Sequence, residues 1–163
     1  MRRKIKFGIV LANRRPVIFP QTTSEQLLKL SQMADDRNYD SVWVGDSVLA
    51  KPRLEPLTLL AAVAARTRKV KIGTACLSSF PLRHPVLVAQ SWATLDQISS
   101  GRTILGVCIG GGGRTLSGEA KKEFESLGVS YEDRVKRFEE GIEIVKKLWT
   151  ENTISYEGTH FQL

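Results

Sequence analysis

The sequence predicts an α/β fold in which short parallel strands alternate with helices. Four apolar runs rich in β-branched residues are each followed by a segment whose apolar residues recur at intervals of three and four. This alternation is typical of a parallel sheet with helices packed against it. An open doubly wound sheet and half of a β/α barrel both fit the order of elements. With 163 residues, 42% of them hydrophobic and 25% charged, the composition excludes a disordered or fibrous chain.

The individual elements can be placed along the chain from apolar spacing and from residues that begin or end helices. The strands are predicted over residues 4–11, 40–45, 69–76 and 102–109. The helices are predicted over residues 24–38, 55–66, 85–98, 118–128 and 131–150. Thr23 or Ser24 can cap the first helix, and Pro85 suits the first position of the third. Residues 14–22, which contain two prolines, are predicted to be a loop, and residues 153–163 a hairpin.

The helical periodicity also predicts which side chains face the core. In the first helix, Leu27, Leu30 and Ala34 lie three and four residues apart. The last helix shows the clearest stripe of apolar residues at this spacing. Its members are Val135, Phe138, Ile142, Val145 and Trp149.

The chain is basic, with 24 Lys and Arg against 17 Asp and Glu and a formal net charge of +7. The basic residues are scattered rather than gathered in one stripe with interleaved aromatics, which predicts no nucleic-acid partner. A nucleic-acid-binding α/β protein ranks last among the alternatives, because only the net charge supports it. The surplus of positive charge suits an anionic ligand such as a phosphorylated cofactor. The apolar run 7–12 is far shorter than the ~20 residues of a membrane-spanning helix, so no membrane association is expected.

The two cysteines, Cys76 and Cys108, lie far apart in sequence in apolar strand-like runs. Neither a Cys-x-x-Cys pair nor a Cys/His cluster with metal-ligand spacing occurs in the sequence, so no metal site is predicted. We expect both to be reduced, buried thiols in a cytoplasmic protein.

Candidate functional residues follow the predicted strands, at the edge where ligands bind in parallel α/β folds. Asp46 and Ser47 come after the second strand, although Asp46 could equally cap the turn that follows. The glycine run 110–113 follows the fourth strand and lets a ligand approach the backbone, although a flexible turn is an equal alternative. The run fails the G-x-G-x-x-G motif, and the Walker pattern lacks its Lys-Ser/Thr pair. His84 precedes a helix-starting proline and is more simply explained by backbone bonding than by acid-base chemistry.

Five stretches of the sequence, taken together, resemble one family. They are SVWVGD at 41–46, EPLTLLAAVAARTRKVKIGTACL at 55–77, RHPVLVAQSWATLDQISSGRTILGVCIGGG at 83–112, EFESLGVSYEDRVKRFEEGIEIVKKLWT at 123–150 and ISYEGTHFQL at 154–163. The chain resembles the bacterial luciferase-like monooxygenases, which include flavin-dependent monooxygenases and coenzyme F420-dependent oxidoreductases. The long block from residue 55 to 110 is the most specific part, and no single short motif is decisive.

The resemblance implies a (β/α)8 TIM barrel. Residues 1–163 would be the N-terminal half of that domain, with its first four β-α units and a terminal hairpin. It also implies that the full-length protein uses reduced FMN or F420 to oxidise or reduce a small organic substrate. The sequence indicates neither the substrate nor which of the two cofactors is used.

Some family positions carry over to this sequence by resemblance. A non-prolyl cis peptide that backs the flavin ring maps to Ala75 and Cys76, and Cys108 takes the place of a reactive thiol near the flavin. Asp46-Ser47 stands where the family commonly has Asp-His or Glu-His, and a serine cannot titrate near neutral pH. The catalytic candidates are therefore Asp46, Ser47 and Cys108. The residues expected to bind the cofactor are Asp46, Ser47, Thr74, Ala75, Cys76, Cys108 and Gly110.

The length of the chain shapes the remaining expectations. An eight-stranded barrel requires roughly 250 residues, so four β-α units would leave an open sheet edge and an uncovered apolar interior. We expect completion by a C-terminal half or by a second copy, and we expect the 163-residue chain alone to be inactive. The alternative is a short, non-catalytic homologue that binds flavin or assembles as paired half-barrels.

Overall fold

A single parallel sheet organises the fold, as the alternating pattern predicts. The computed structural model describes residues 5–111 and 117–163. Four parallel strands lie side by side in the order β1-β2-β3-β4. They are β1 (Gly8–Leu11), β2 (Ser41–Val44), β3 (Lys71–Thr74) and β4 (Thr103–Ile104). Each is shorter than predicted, because regular pairing with a neighbouring strand covers only these residues. Leu77 and Val107 form one further parallel bridge. The predicted start of β1 at Lys4 lies outside the described residues.

Helices connect the strands and cover one face of the sheet. They are α1 (Arg15–Ile18), α2 (Ser24–Asp36), α3 (Pro56–Arg66), α4 (Pro85–Ser99), α5 (Ser117–Ser126) and α6 (Arg134–Thr150). The short α1 lies where a loop was predicted, and that prediction is wrong for residues 15–18. Pro16 falls in its first turn, where a missing N–H costs nothing. None of the helices in the described part of the chain is long and apolar enough to cross a bilayer.

The predicted helix ends are confirmed at several positions. The Thr23 hydroxyl accepts from the backbone N–H of Gln26, and the Gln26 side chain accepts from the Thr23 N–H, which completes a capping box. Pro85 is the first residue of α4, as predicted. α4 ends at Ser99, and the capping residue Ser100 adopts a left-handed conformation with φ of 58°.

The hairpin predicted at the C-terminal end is present in a minimal form. Glu157 and Gln162 form one antiparallel bridge, flanked by paired backbone hydrogen bonds between Tyr156 and Leu163. The carboxylate of Glu140 on α6 accepts from three consecutive backbone N–H groups at residues 159–161. Burial alone would raise the pKa of Glu140, but these donors hold it below its usual value. The hairpin is thereby fixed to α6.

The core lies between the sheet and its helices. Alternate strand residues face the helices because side chains on a strand point to opposite faces. The strand residues buried there are Leu11, Val42, Val44 and Ile72, packed with Leu27, Leu60, Val63, Trp92 and Leu95 from the helices. A second cluster contains Leu77, Phe80, Val88, Ala89 and Val145, with Phe138 and Ile142 packed against it.

Three of the predicted core positions are exposed. Leu30 is 42% exposed, because the buried stripe of α2 is centred on Leu27, Ser31 and Ala34 and leaves Leu30 at its edge. Val135 and Trp149 lie at the two ends of α6, where little structure covers them, and are 39% and 43% exposed. The Trp149 indole N–H nevertheless donates to the carbonyl of Ala89 and fixes α6 to α4.

The opposite face of the sheet is apolar and open. Val10 is 65% exposed and Ile104 is 40% exposed. Trp43 lies across this face, with its ring close to Gly8 and Gly73; a Cβ atom at Gly73 would come within 2.8 Å of the ring. Such a face is typical of a barrel interior that has not been enclosed.

Candidate functional site

A cavity of about 260 Å³ lies at the carboxyl ends of β2, β3 and β4. It brings together Asp46, Ser47, Cys76, Cys108 and Gly110, which the sequence singled out. The remaining lining residues are Ala50, Lys51, Ser78, Gly111, Ala120, Glu123 and Phe124. Thr74 and Ala75, the other two predicted cofactor-binding residues, lie outside this cavity. Thr74 is buried, and its hydroxyl bonds the backbone N–H and C=O of Gly106.

Asp46 joins the loop after β2 to the loop after β3. Its side-chain carboxylate accepts from the backbone N–H of Ser79 at 2.7 Å, and its carbonyl accepts from the Ser78 hydroxyl at 2.6 Å. Asp46 therefore caps a turn, as the alternative explanation of this residue suggested. The capped turn is the one after β3, however, and not the turn that directly follows Asp46 in the chain. Asp46 is buried at the back of the cavity, where these two hydrogen bonds hold the loop after β2 against the loop after β3.

Ser47 is held by Glu123, a residue that sequence reasoning missed. Glu123, only 6% exposed, accepts from the Ser47 hydroxyl at 3.1 Å and from the backbone N–H groups of Val48, Leu49 and Ala50. The Ser47 oxygen also accepts from the backbone N–H of Lys51 at 2.9 Å. The Ser47 hydroxyl thus donates its proton in the hydrogen bond to Glu123. This favours a positioning role for Ser47 over proton transfer.

The two cysteines form a disulfide, so the prediction of reduced, buried thiols is wrong on both counts. Cys76 and Cys108 are joined across 32 residues with Cα atoms 6.1 Å apart, and both are only half-buried. Their separation in sequence concealed this pairing, which arises because β3 and β4 are neighbours. The peptide bond between Ala75 and Cys76 is cis, as the resemblance implied.

Two glycines form the floor of the cavity after β4. Gly110 and Gly111 have φ values of +68° and +93°, a backbone conformation that favours glycine. A Cβ atom at Gly110 would lie 2.6 Å from the Ser78 carbonyl oxygen, so only glycine fits there. Gly112 and Gly113, the rest of the predicted glycine run, lie outside the described residues.

Two further groups complete the description of the site. Lys51 is the cationic side chain among the lining residues and was not predicted from sequence. Exposed His84 stands before α4 without a side-chain cap bond, and its ring packs edge-on against Phe161, outside the cavity. Within residues 5–111 and 117–163, no three His, Cys, Asp or Glu side chains meet in a metal-binding arrangement.

Comparison with known proteins identifies the architecture. The model of the luciferase-like monooxygenase family matches residues 5–163. The chain belongs to this family. Its relatives include an F420-dependent glucose-6-phosphate dehydrogenase from Amycolatopsis mediterranei, 34% identical over 146 residues. That alignment covers 84% of this chain and 41% of the relative, so the chain spans less than half the length of this curated family member.

Two solved structures show the same fold. A monooxygenase from Streptomyces bottropensis superposes with a TM-score of 0.81 at 30% identity, covering 98% of this chain and 47% of that one. The oxygenating constituent of 3,6-diketocamphane monooxygenase from Pseudomonas putida, solved with FMN, gives a TM-score of 0.76 at 22% identity. It covers 97% of this chain and 42% of that one, and supports the fold alone. The four β-α units are therefore part of a TIM-barrel fold.

Proposed function

We propose that this chain forms the N-terminal half of a luciferase-like oxidoreductase barrel that binds reduced FMN or F420 in the cavity at the carboxyl ends of β2–β4. The observation that carries the proposal is the cavity itself. Residues from three separate strand ends converge there, at the edge where barrel enzymes bind their ligands. The substrate would be a small organic molecule.

The lining of the cavity fits a flat aromatic ring. Cys76, Cys108, Gly110, Gly111 and neighbouring alanines present small side chains, which let a planar ring approach the backbone closely. The walls are mainly apolar, with a few polar groups, as is usual in ligand sites. Lys51 adds one positive charge, which suits the anionic form of a reduced ring or an anionic substrate.

Each residue of this chain has a definable task in such an enzyme. Asp46 and Glu123 hold the loops that form the walls, while Gly110 and Gly111 keep the floor open. Reduced FMN or F420, when bound, supplies the electrons for oxidation or reduction. Ser47 stands where the family commonly has a histidine. Its oxygen, held in place by the bond to Glu123, would accept a hydrogen bond from the ring or substrate. Any proton that the reaction needs would come from a group other than Ser47.

The rest of the barrel would cover the open apolar face of the sheet. Residues on that face, such as Val10 and Ile104, are exposed here but would be interior in a closed barrel. The relatives' greater length supports a C-terminal half as the cover. We therefore expect the 163-residue chain alone to lack activity.

A binding experiment tests the proposal. The 163-residue chain and a full-length form that carries the C-terminal half would each be titrated with FMN and F420, with cofactor fluorescence as the signal. We expect tight binding of one cofactor by the full-length form and weak or no binding by the 163-residue chain. Gly110→Ala provides the site control, because a methyl group there would displace the floor of the cavity.

Two results would contradict the proposal in different ways. If the full-length form binds neither cofactor, the assignment of the cavity is wrong. If light scattering shows that the 163-residue chain forms a dimer and the dimer binds cofactor tightly, then a second copy covers the sheet. That second result would favour paired half-barrels, for which the exposed apolar face is the supporting observation.

A further inference from the structure

We propose that Cys76 and Cys108 form a reversible redox site that controls the rigidity of one wall of the cavity. The two residues follow neighbouring strands, and both line the cavity. Both are half-buried rather than enclosed, which would let a small thiol or disulfide approach the sulfur atoms from the cavity. A disulfide sealed in a core would lack this access.

The disulfide lies where the backbone hydrogen bonding between the segments after β3 and β4 weakens and ends. The N–H of Leu77 donates to the carbonyl of Gly106 at 2.7 Å, and the N–H of Cys108 reaches the Leu77 carbonyl at 3.5 Å. After Cys108, no backbone hydrogen bond among the described residues joins residues 109–111 to residues 76–79. Besides the long Cys108–Leu77 hydrogen bond, the disulfide therefore ties these two segments together beside the cavity.

The reaction exchanges electrons with a low-molecular-weight disulfide such as oxidised glutathione. In the forward direction, the Cys76 and Cys108 thiols lose two protons and two electrons and form the S–S bond. The external disulfide gains them and leaves as two thiols, so atoms and electrons balance. The reverse reaction, with an excess of external thiol, restores the two cysteine thiols and frees the segments.

Loss of the tie has a local structural consequence. Segment 108–111 contains two glycines with positive φ, and the hydrogen bonds that hold it are long, from the Cys108 N–H to Leu77 at 3.5 Å and from the Tyr131 hydroxyl to Gly111 at 3.4 Å. Its conformational freedom would therefore increase on reduction. The cavity floor at Gly110 and Gly111 would move with it. This inference concerns the wall of the cavity and does not require a bound cofactor; any effect on cofactor binding rests on the proposed function.

Peptide mapping tests the redox step directly. The protein would be equilibrated in dithiothreitol buffers of varied redox ratio, alkylated without denaturant and digested with trypsin. Cleavage after Lys71, Arg83, Arg102 and Arg114 isolates each cysteine in its own peptide, 72–83 and 103–114. We expect a linked pair in oxidising buffer that converts to two alkylated peptides on reduction and returns on reoxidation. A pair that stays linked until the protein is denatured, or that never forms in the oxidising buffer, would overturn the proposal.

Hydrogen–deuterium exchange tests the structural consequence. Amides 106–111 should exchange several-fold faster in the reduced protein, while amides 92–98 of α4 should be unchanged. The double variant Cys76→Ser/Cys108→Ser should exchange like the reduced protein in both buffers, and each single variant should do the same. Equal exchange of 106–111 in both redox states of the unmodified protein would refute the claim about the wall, and this comparison needs no variant to fold.

A cofactor titration keeps this inference separate from the proposed function. FMN and F420 would each be titrated against the full-length protein in its oxidised and reduced states. Absence of binding in both states would contradict the proposed function, while peptide mapping and exchange would still decide the redox site.

Discussion

The carboxylate of Glu123 on α5 accepts a hydrogen bond from the hydroxyl of Ser47, 76 residues earlier in the chain. The same carboxylate accepts from three consecutive backbone N–H groups of the loop that follows Ser47. One buried side chain thereby fixes the position of the family-variant serine and the conformation of a cavity wall. Glu123 is thus the residue through which α5 influences the site.

Replacing Glu123 should therefore damage both stability and the site. In Glu123→Gln, the amide oxygen still accepts, but the amide N–H₂ group faces the backbone donors of the loop and leaves them without a partner. We expect a loss on the order of 3 kcal/mol in the free energy of unfolding, because unpaired buried donors cost about 1–3 kcal/mol each. Denaturant unfolding measures this. Glu125→Gln, on the same helix but exposed, is the matched control and should change stability little.

Gly110 should tolerate alanine poorly. Its φ of +68° costs a residue with a Cβ about 1–2 kcal/mol, and the Cβ would also press on the Ser78 carbonyl oxygen at 2.6 Å. Gly110→Ala should therefore cost more than that backbone penalty alone, measured by denaturant unfolding. Gly128→Ala is the control, because Gly128 has a similar φ of +71° with nothing within 4 Å of the added Cβ. Equal costs for the two variants would contradict the crowded floor.

Patterns among neighbouring residues in the sequence predicted most of the fold. Contacts between residues distant in sequence could not be predicted from such patterns. The alternation of strands and helices, the cap at Thr23 and the start of α4 at Pro85 depend on neighbouring residues, and the structure confirms them. The Cys76–Cys108 bond depends on the adjacency of two strands 32 residues apart. Glu123 likewise sits in an ordinary amphipathic helix, and no spacing rule distinguishes a buried glutamate there from a solvated one.

Asp35 should make stability dependent on acid pH. Its carboxylate accepts from the backbone N–H groups of residues 68–70 at 2.7–3.0 Å. Burial raises the pKa of Asp35, but these donors and the charge of Arg102 outweigh it and hold the pKa below the usual 3.8. A carboxyl group with a lowered folded pKa stabilises the protein above its unfolded pKa, and the benefit is lost as the pH falls through the folded value.

Asp35→Asn tests this dependence. Near neutral pH we expect the variant to lose about 1.5–3 kcal/mol, the usual contribution of hydrogen bonds to a charged group. The difference from the unmodified protein should shrink as the pH falls below about 4, because protonation removes the same charge from Asp35. Urea unfolding across this pH range measures it, and exposed Asp36→Asn should show little difference throughout. A difference that stays constant with pH would indicate that charge on Asp35 is not the cause.

A substitution at Val10 can distinguish the open half-barrel from a completed barrel. It is 65% exposed in the 163-residue chain, so Val10→Asp should cost that chain at most about 1 kcal/mol, the range of strand propensity. In a full-length barrel the same carboxylate would be buried without a partner, which costs several kcal/mol. Unfolding of both forms, each with and without the substitution, measures the contrast. Leu87→Asp on α4, where Leu87 is 61% exposed, should have the same small effect in both forms. An equal effect of Val10→Asp in the two forms would mean that the C-terminal half does not cover this face of the sheet.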